Sequence, residues 1–320
     1  MKLKNKLRGN AIEGKKITVK ERVDKFLYPS PNANKSGQFG YKPNFFIKAL
    51  RYIAKFAVSV FGLNSNSRFM VEIQQMLDPT IRIKLPTGED LIFCTGHGRL
   101  VWRAKTLLTE EEEIIKWINS FNKDDIFYDI GANVGTYSLY AAKTKGIKVY
   151  AFEPEINNVQ LLYSNVYKNG LSQQCVPLPL ACDKETKIKP FYIREFTKGG
   201  AINSIGRKSI FLENDKDLFI QDTLCMRVDD AIGLFDISLP TKVKVDVDMN
   251  ELSVIEGMDK ALDSVDEIYI ELYLPFHEHK KVLSILEQKG FAIHKASKAK
   301  APKKFEDTSN YIFKKGYEKK

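Results

Sequence analysis

Histidine and cysteine are both scarce, four of each in 320 residues. The cysteines, Cys94, Cys175, Cys182 and Cys225, form no CxxC pair and have no histidine at zinc-ligand spacing, so neither a metal finger nor a disulfide frame is predicted. Buried thiols in a reducing compartment fit them better. No apolar run is long enough to span a bilayer, and no apolar stretch follows the basic start MKLKNKLRGNAIEGKK, as a secretory signal requires. A cytoplasmic protein is expected. The dinucleotide fingerprint G-x-G-x-x-G is missing too.

What is present is the composition of a soluble globular chain, 43% hydrophobic and 28% charged. The length suits one α/β catalytic domain with an N-terminal extension. The net charge of +10 is uneven. Residues 1–70 hold 15 Lys/Arg against 3 Asp/Glu, residues 71–288 hold 25 against 34, and residues 289–320 hold 10 against 3. A phosphate-tracking protein spreads positive charge over its working face, whereas here the centre is acidic and the ends are basic. The nucleic-acid signal is therefore weak, although the basic ends keep an RNA methyltransferase as an alternative reading.

Three regions follow from composition. Residues 1–44 are a basic arm and a Pro/Gly/Asn-rich linker. Residues 45–78 form a helical extension, in which Lys48, Arg51, Lys55 and Ser59 recur every three or four positions as one polar stripe on an otherwise apolar helix, 45–63. Such a basic amphipathic helix suits a subunit interface or peripheral contact with a membrane. A scaffold that keeps the fold and uses this arm to bind partners is the non-enzymatic alternative. Residues 79–320 form the catalytic domain.

That domain begins with a predicted hairpin, 81–85 and 90–94. A helix follows from Thr109, whose spacing to Glu112 is that of a capping box and whose first-turn acids complement the helix dipole. Strands and helices then alternate: strand 126–130, helix 135–144, strand 147–152, helix 157–169, strands 175–180 and 242–247, helix 251–262, strand 267–273 and helix 278–289. Segments 291–296 and 310–315 are expected to close the sheet edge antiparallel. The pattern predicts a doubly wound, mostly parallel, Rossmann-like α/β sheet.

IFYDIGANVGTYSLYAAK runs from an apolar strand through Asp129, Gly131 and Gly135 into a helix, a unit that brings backbone close to a nucleotide-like cofactor. Asp129 would repel a pyrophosphate but accept from an ammonium group, which favours S-adenosylmethionine over NAD. Glu153 ends the next strand, about twenty residues beyond the glycine turn, where a carboxylate accepts from both ribose hydroxyls. Asp183, after the third strand, is either an adenine ligand or an ordinary turn acid.

In KVKVDVDMNELSVIEGM the acids Asp246 and Asp248 alternate with valine and leave the strand at its ligand-binding end. A carboxylate inside an apolar pattern needs a reason: orienting an acceptor, taking its proton, sharing a divalent metal ion, or pairing with a buried lysine. Glu271 and His277, on and just after the fifth strand, are lower-ranked catalytic candidates, a histidine placed like His277 being more often a plain loop residue.

FYDIGANVGTYS, AFEP, LLYSNVYKNGL, LACD, MRVDDAI, VKVDVDMNELSVIEGM and IYIELYL, in this order over roughly residues 80–295, resemble the FkbM family of methyltransferases. The resemblance implies a class I methyltransferase fold with a seven-stranded sheet, and O-methylation of a hydroxyl on a small-molecule, sugar or glycan acceptor. It matches Asp129, Gly131, Asn133 and Gly135 to the cofactor loop, Glu153 to the ribose acid, and Asp246, Glu251 and Gly257 to the fourth-strand block. Where the family has Asp-x-Glu-Gly, this chain has Asp246-Val247-Asp248-Met249.

Overall fold

The computed structural model describes residues 79–96, 98–208, 212, 215–299 and 306–317, together with Tyr52, Ile53 and Phe56, which are helical. The arm, the linker and most of the helix expected over 45–63 lie outside the described residues. Backbone contacts divide the chain into two units, 1–77 and 78–320; the second is described below. Among the described residues no helix is long and apolar enough to cross a membrane.

The second unit opens with the hairpin β1 (Thr80–Lys84) and β2 (Asp90–Cys94), then helices α1 (Gly98–Thr106) and α2 (Glu112–Asn119). Alternating elements follow: β3 (Ile126–Ile130), α3 (Thr136–Lys145), β4 (Lys148–Phe152), α4 (Ile156–Lys168) and β5 (Cys175–Leu178). Next come four strands, β6 (Ala181–Cys182), β7 (Lys187–Ile193), β8 (Ser204–Ile205) and β9 (Phe219–Met226), and then α5 (Val228–Phe235). The chain continues through β10 (Lys242–Val245), α6 (Glu251–Glu256), β11 (Glu267–Tyr273), α7 (His277–Gln288), β12 (Phe291–Lys298) and β13 (Thr308–Lys315).

Seven strands form the main sheet in the order β12-β13-β11-β10-β3-β4-β5. The neighbours from β11 to β5 all pair parallel. β13 pairs antiparallel with both β11 and β12. Only β13 is therefore reversed, and β12 runs with the rest; the expected antiparallel closure is one inserted strand, not two reversed ones.

The sheet is covered on both faces, and the period-two alternation of its strands feeds both cores. Phe127, Val149 and Ala151 turn to a cluster with Ile114, Trp117, Leu139 and Leu162 from α2, α3 and α4. Tyr128, Ile130, Tyr150 and Phe152 turn to a second cluster with Val254, Ile255, Val282 and Leu286 from α6 and α7. Strands buried on both sides read as near-continuous apolar runs, as these do. The four cysteines are buried and none is in a disulfide.

Two local expectations are corrected. α2 starts at Glu112 behind Glu111, with no side-chain cap. Thr109 instead closes the turn after α1, its N–H donating to the Thr106 carbonyl at 2.9 Å, so the capping box does not form. The sheet β6-β9-β7-β8, inserted between β5 and α5, was not read from the sequence. α6 stops at Glu256 because the chain must pass the third-strand turn: a Cβ on Gly257 would lie 2.1 Å from the Asp183 carbonyl oxygen.

Candidate active site

β3 and β10 are neighbours, and their carboxyl ends meet at Gly131. A Cβ there would stand 1.9 Å from the Asp246 carbonyl oxygen, and the backbone has a φ of 82°, so only glycine fits. The loop from Gly131 to Gly135 then turns into α3. Its N–H groups are all engaged within the protein. Those of Gly131 and Ala132 donate to the Phe152 carbonyl at 3.0 Å, and that of Gly135 to Ala132 at 2.8 Å. The Asn133 N–H donates to Glu153 Oε2 at 2.8 Å, and the Val134 N–H to Asn133 Oδ1 at 3.0 Å. Five satisfied donors in a row make no cradle for a pyrophosphate, which needs free N–H groups.

A cleft of about 740 Å³ opens over this loop, walled by Phe152, Glu153, Leu180, Phe191 and Asp246 among others. A second cleft, of about 530 Å³, lies beside it, lined by Trp102, Glu111, Tyr137 and Lys244. Arg103, Gly131, Asn133 and Asp246 border both.

Glu153 ends β4, as the sequence predicts. Its Oε1 also accepts from the Glu155 N–H at 2.9 Å and from Asn158 Nδ2 at 3.4 Å. Burial, against these hydrogen bonds, pushes its carboxyl up to about 7. Asn133, with a φ of 51°, occupies the left-handed region that asparagine tolerates. Its Nδ2 donates to the Gly200 carbonyl at 2.7 Å.

Asp129 is fully buried rather than lining a cleft. Its Oδ2 accepts from the Ser138 hydroxyl at 2.5 Å and its Oδ1 lies 3.4 Å from Lys244 Nζ. The ammonium that Asp129 meets in this structure is that of Lys244. The same Nζ stands 3.3 Å from Asp246 Oδ2. Burial lowers the Lys244 pKa, but Asp246, Asp129 and Glu111 more than offset it, leaving the ammonium above the ordinary lysine range. It stays charged.

Asp246 departs from the sequence argument in one respect. β10 ends at Val245, so the carboxylate is not inside the strand; its side chain is 46% exposed and faces both clefts while pairing with Lys244. The lysine pair and the cleft position coexist.

Asp248 does something else. Its Oδ2 accepts from the Ile202 N–H at 2.7 Å and the Asn203 N–H at 3.2 Å, tying down the loop between β7 and β8. Burial, then the charge of Asp246, push its carboxyl up to about 7. Asp248 and Met249 have φ of 53° and 78°. The glycine usual at the second position relieves strain that Met249 bears. The other end of that loop is held by Asn158, which accepts from the Gly199 N–H at 2.9 Å.

Three expected residues fall outside both clefts. Asp183 is buried and paired with Lys189 at 2.7 Å. Glu271 is half-buried on β11, its carboxyl raised by burial and then by Asp246. His277 is exposed at the start of α7. The histidine built into the region is His279. Its Nδ1 accepts from the Tyr273 N–H at 2.7 Å, which leaves the proton on Nε2 to donate to Glu251 Oε2 at 2.7 Å. Glu251 in turn accepts from the Met249 N–H at 3.2 Å, bracing the turn after Asp246.

A divalent ion is not supported by this arrangement: among the described residues no three His, Cys, Asp or Glu side chains form a metal site, and Asp248 faces backbone donors. Residues that sequence reasoning missed include Arg103, Lys244, Asn158 and Glu111. Glu111 accepts from the Tyr137 hydroxyl at 2.9 Å, and burial and then Asp246 raise its pKa. Lys244 had left a signal, a lysine inside a strand buried along its length.

A family model described as the methyltransferase FkbM domain matches residues 129–293, more than half of the chain. The chain belongs to this family. Among relatives of the FkbM-family chain, the hexuronic acid methyltransferase AglP of Haloferax volcanii is 25% identical over 173 residues, covering 54% of this chain and 66% of AglP, just under two thirds of its length. The 31-O-demethyl-FK506 methyltransferase FkbM of Streptomyces tacrolimicus is 22% identical over 240 residues, covering 68% of this chain and 91% of that protein. The crystal structure of an FkbM methyltransferase from Methylobacillus flagellatus superposes with a TM-score of 0.40 at 17% identity, covering 60% of this chain and 44% of that one.

Proposed function

We propose that the chain transfers the methyl group of S-adenosylmethionine to a hydroxyl of a sugar, glycan or related small metabolite. The observation that carries this reading is the position of Asp246, a carboxylate braced by a buried lysine and bordering two adjoining clefts. The first cleft has a donor set that fits the cofactor: apolar walls at Phe152, Leu180 and Phe191 for a base, and Glu153 at the strand end for ribose hydroxyls. Its loop, without free N–H groups, does not fit a dinucleotide.

S-adenosylmethionine supplies a methyl group already activated on a sulfonium. The protein's part is alignment and proton handling, and alignment alone is worth several kcal/mol of barrier. Asp246 orients an acceptor hydroxyl from the second cleft and takes its proton. Lys244, 3.3 Å from that carboxylate, holds it in position for this. The name of AglP supports a sugar as acceptor.

The test is incubation of the full chain with methyl-labelled S-adenosylmethionine and an extract of glycans and lipid-linked sugars, followed by mass detection. A labelled sugar product supports the reading. Cofactor binding with label only in RNA or protein sinks the sugar assignment. Glu153→Ala is expected to weaken S-adenosylhomocysteine binding at least tenfold in calorimetry, and wild-type affinity in that variant would remove Glu153 from the site.

A further inference from the structure

Arg103 stands on α1 where the two clefts join, with no hydrogen bond or ion pair to its side chain among the described residues. Its Nε is shielded from solvent and has no hydrogen-bond partner, and its guanidinium makes no ion pair among the described residues. Asp246 and Glu111 act on it only through space, and burial lowers its pKa. Arg99, one turn earlier, is by contrast bound to Glu195 at 2.7 Å. Arg103 is half-buried, a shielded Nε without an acceptor is costly, and the planar fork matches an anion with two coplanar oxygens.

The surroundings narrow that anion. Glu110, Glu111 and Asp246 line the same cleft, so a doubly charged phosphate would meet three carboxylates. A singly charged carboxylate meets less repulsion and fits the fork in bidentate fashion. We propose that Arg103 is a carboxylate-binding residue of this site, closing the junction of the two clefts on the carboxylate of a bound substrate. The inference rests on the methyl-transfer reading above. The carboxylate belongs either to an acidic sugar acceptor in the second cleft or to the amino-acid end of the cofactor.

Calorimetry on the full chain separates these sources. Wild type, Arg103→Gln and Arg103→Lys are titrated with S-adenosylhomocysteine and with 5′-methylthioadenosine, which lacks the amino-acid end. Saturation-transfer NMR then compares D-glucuronate with neutral D-glucose on the S-adenosylhomocysteine-loaded proteins. If the cofactor supplies the carboxylate, Arg103→Gln loses tenfold or more in S-adenosylhomocysteine affinity and none for methylthioadenosine. If the acceptor supplies it, both nucleosides bind as in wild type and the glucuronate signal disappears, with glucose unchanged. Arg103→Lys, which keeps the charge and loses the fork, gives a smaller loss of the same kind, and it decides the matter should Arg103→Gln not fold.

Wild-type S-adenosylhomocysteine affinity together with a wild-type glucuronate response in Arg103→Gln overturns the assignment and leaves methyl transfer standing. Loss of methylthioadenosine binding in a folded variant marks a merely structural arginine and overturns it as well. A wild-type protein that binds neither nucleoside sinks the methyl-transfer reading and this assignment with it.

Discussion

At the scale of single residues, the two aspartates after β10 have divided tasks that the sequence pattern made look alike. Asp246 borders both clefts and pairs with Lys244, while Asp248 borders the first alone and holds the backbone of Ile202 and Asn203. Asp248→Ala leaves two N–H donors unpaired, a cost of about 2 kcal/mol, and the corresponding drop in melting temperature is about 4–8 °C for a domain of this size. The loss depends on pH. Because the Asp248 carboxyl is raised to about 7, its ionised form is the less favourable one in the fold. The variant is therefore more damaging at pH 6 than at pH 8, and thermal melts at the two values check this. Hydrogen exchange of the amides at 202 and 203 should quicken in the same variant; unchanged protection there would contradict the tether.

At the scale of elements, the junction of β3 and β10 is the tightest constraint. Gly131→Ala drives a methyl group into the Asp246 carbonyl, at 1.9 Å. Gly146, after α3, has a similar φ of 68° but open space around it. Comparing the two alanine variants by urea denaturation separates backbone strain from close approach. Gly146→Ala is expected to cost about 1 kcal/mol, and Gly131→Ala roughly 3 kcal/mol or more. Equal costs would mean that the crossing is loose.

Much at this scale was readable in advance. The apolar strands β3, β4, β10 and β11 and the helices α3 and α4 lie close to their expected ends, since two-sided burial leaves a strong local signature, whereas α6 stops at Glu256, well short of 262. Glu153 and the glycine turn were legible for the same reason, being set by chain geometry within one β-α-β unit. What escaped was decided at a distance. Lys244 pairs with Asp129, Lys189 pairs with Asp183, and the N–H of Ile202, 46 residues before Asp248, donates to its carboxylate. β7 and β9 mix lysines, a proline and polar residues with their apolar ones, and so carried no clean period. His277 and His279 differ by two positions on one helix, and only packing against Glu251 distinguishes them.

At the scale of the whole molecule, acids with raised pKa gather around the clefts. Glu153 and Asp248 titrate at about 7 in the fold, against ordinary values of 4.5 and 3.8, and Glu111 and Glu271 are raised as well. Each holds a proton in the folded state that the unfolded chain gives up at lower pH. The contribution of Glu153 and Asp248 to stability is present below the unfolded values and is lost as pH rises through about 7, and Glu111 and Glu271 act in the same direction. Acids with lowered pKa, such as Glu185 at about 2, act only at more acidic pH. Melting temperature is thus expected to fall by several degrees between pH 5.5 and pH 8, and Glu153→Gln, which cannot titrate, to flatten that slope. A melting temperature that rises over the window would contradict the shared burial of these acids.

If Asp246 serves the acceptor and not the cofactor, Asp246→Asn separates binding from transfer in a paired measurement. S-adenosylhomocysteine affinity by calorimetry is expected to stay within about threefold of wild type, while transfer of labelled methyl to the acceptor falls at least about a hundredfold, the usual scale for loss of a positioned base. Transfer at the wild-type rate, or loss of cofactor binding in proportion to the loss of transfer, would contradict it.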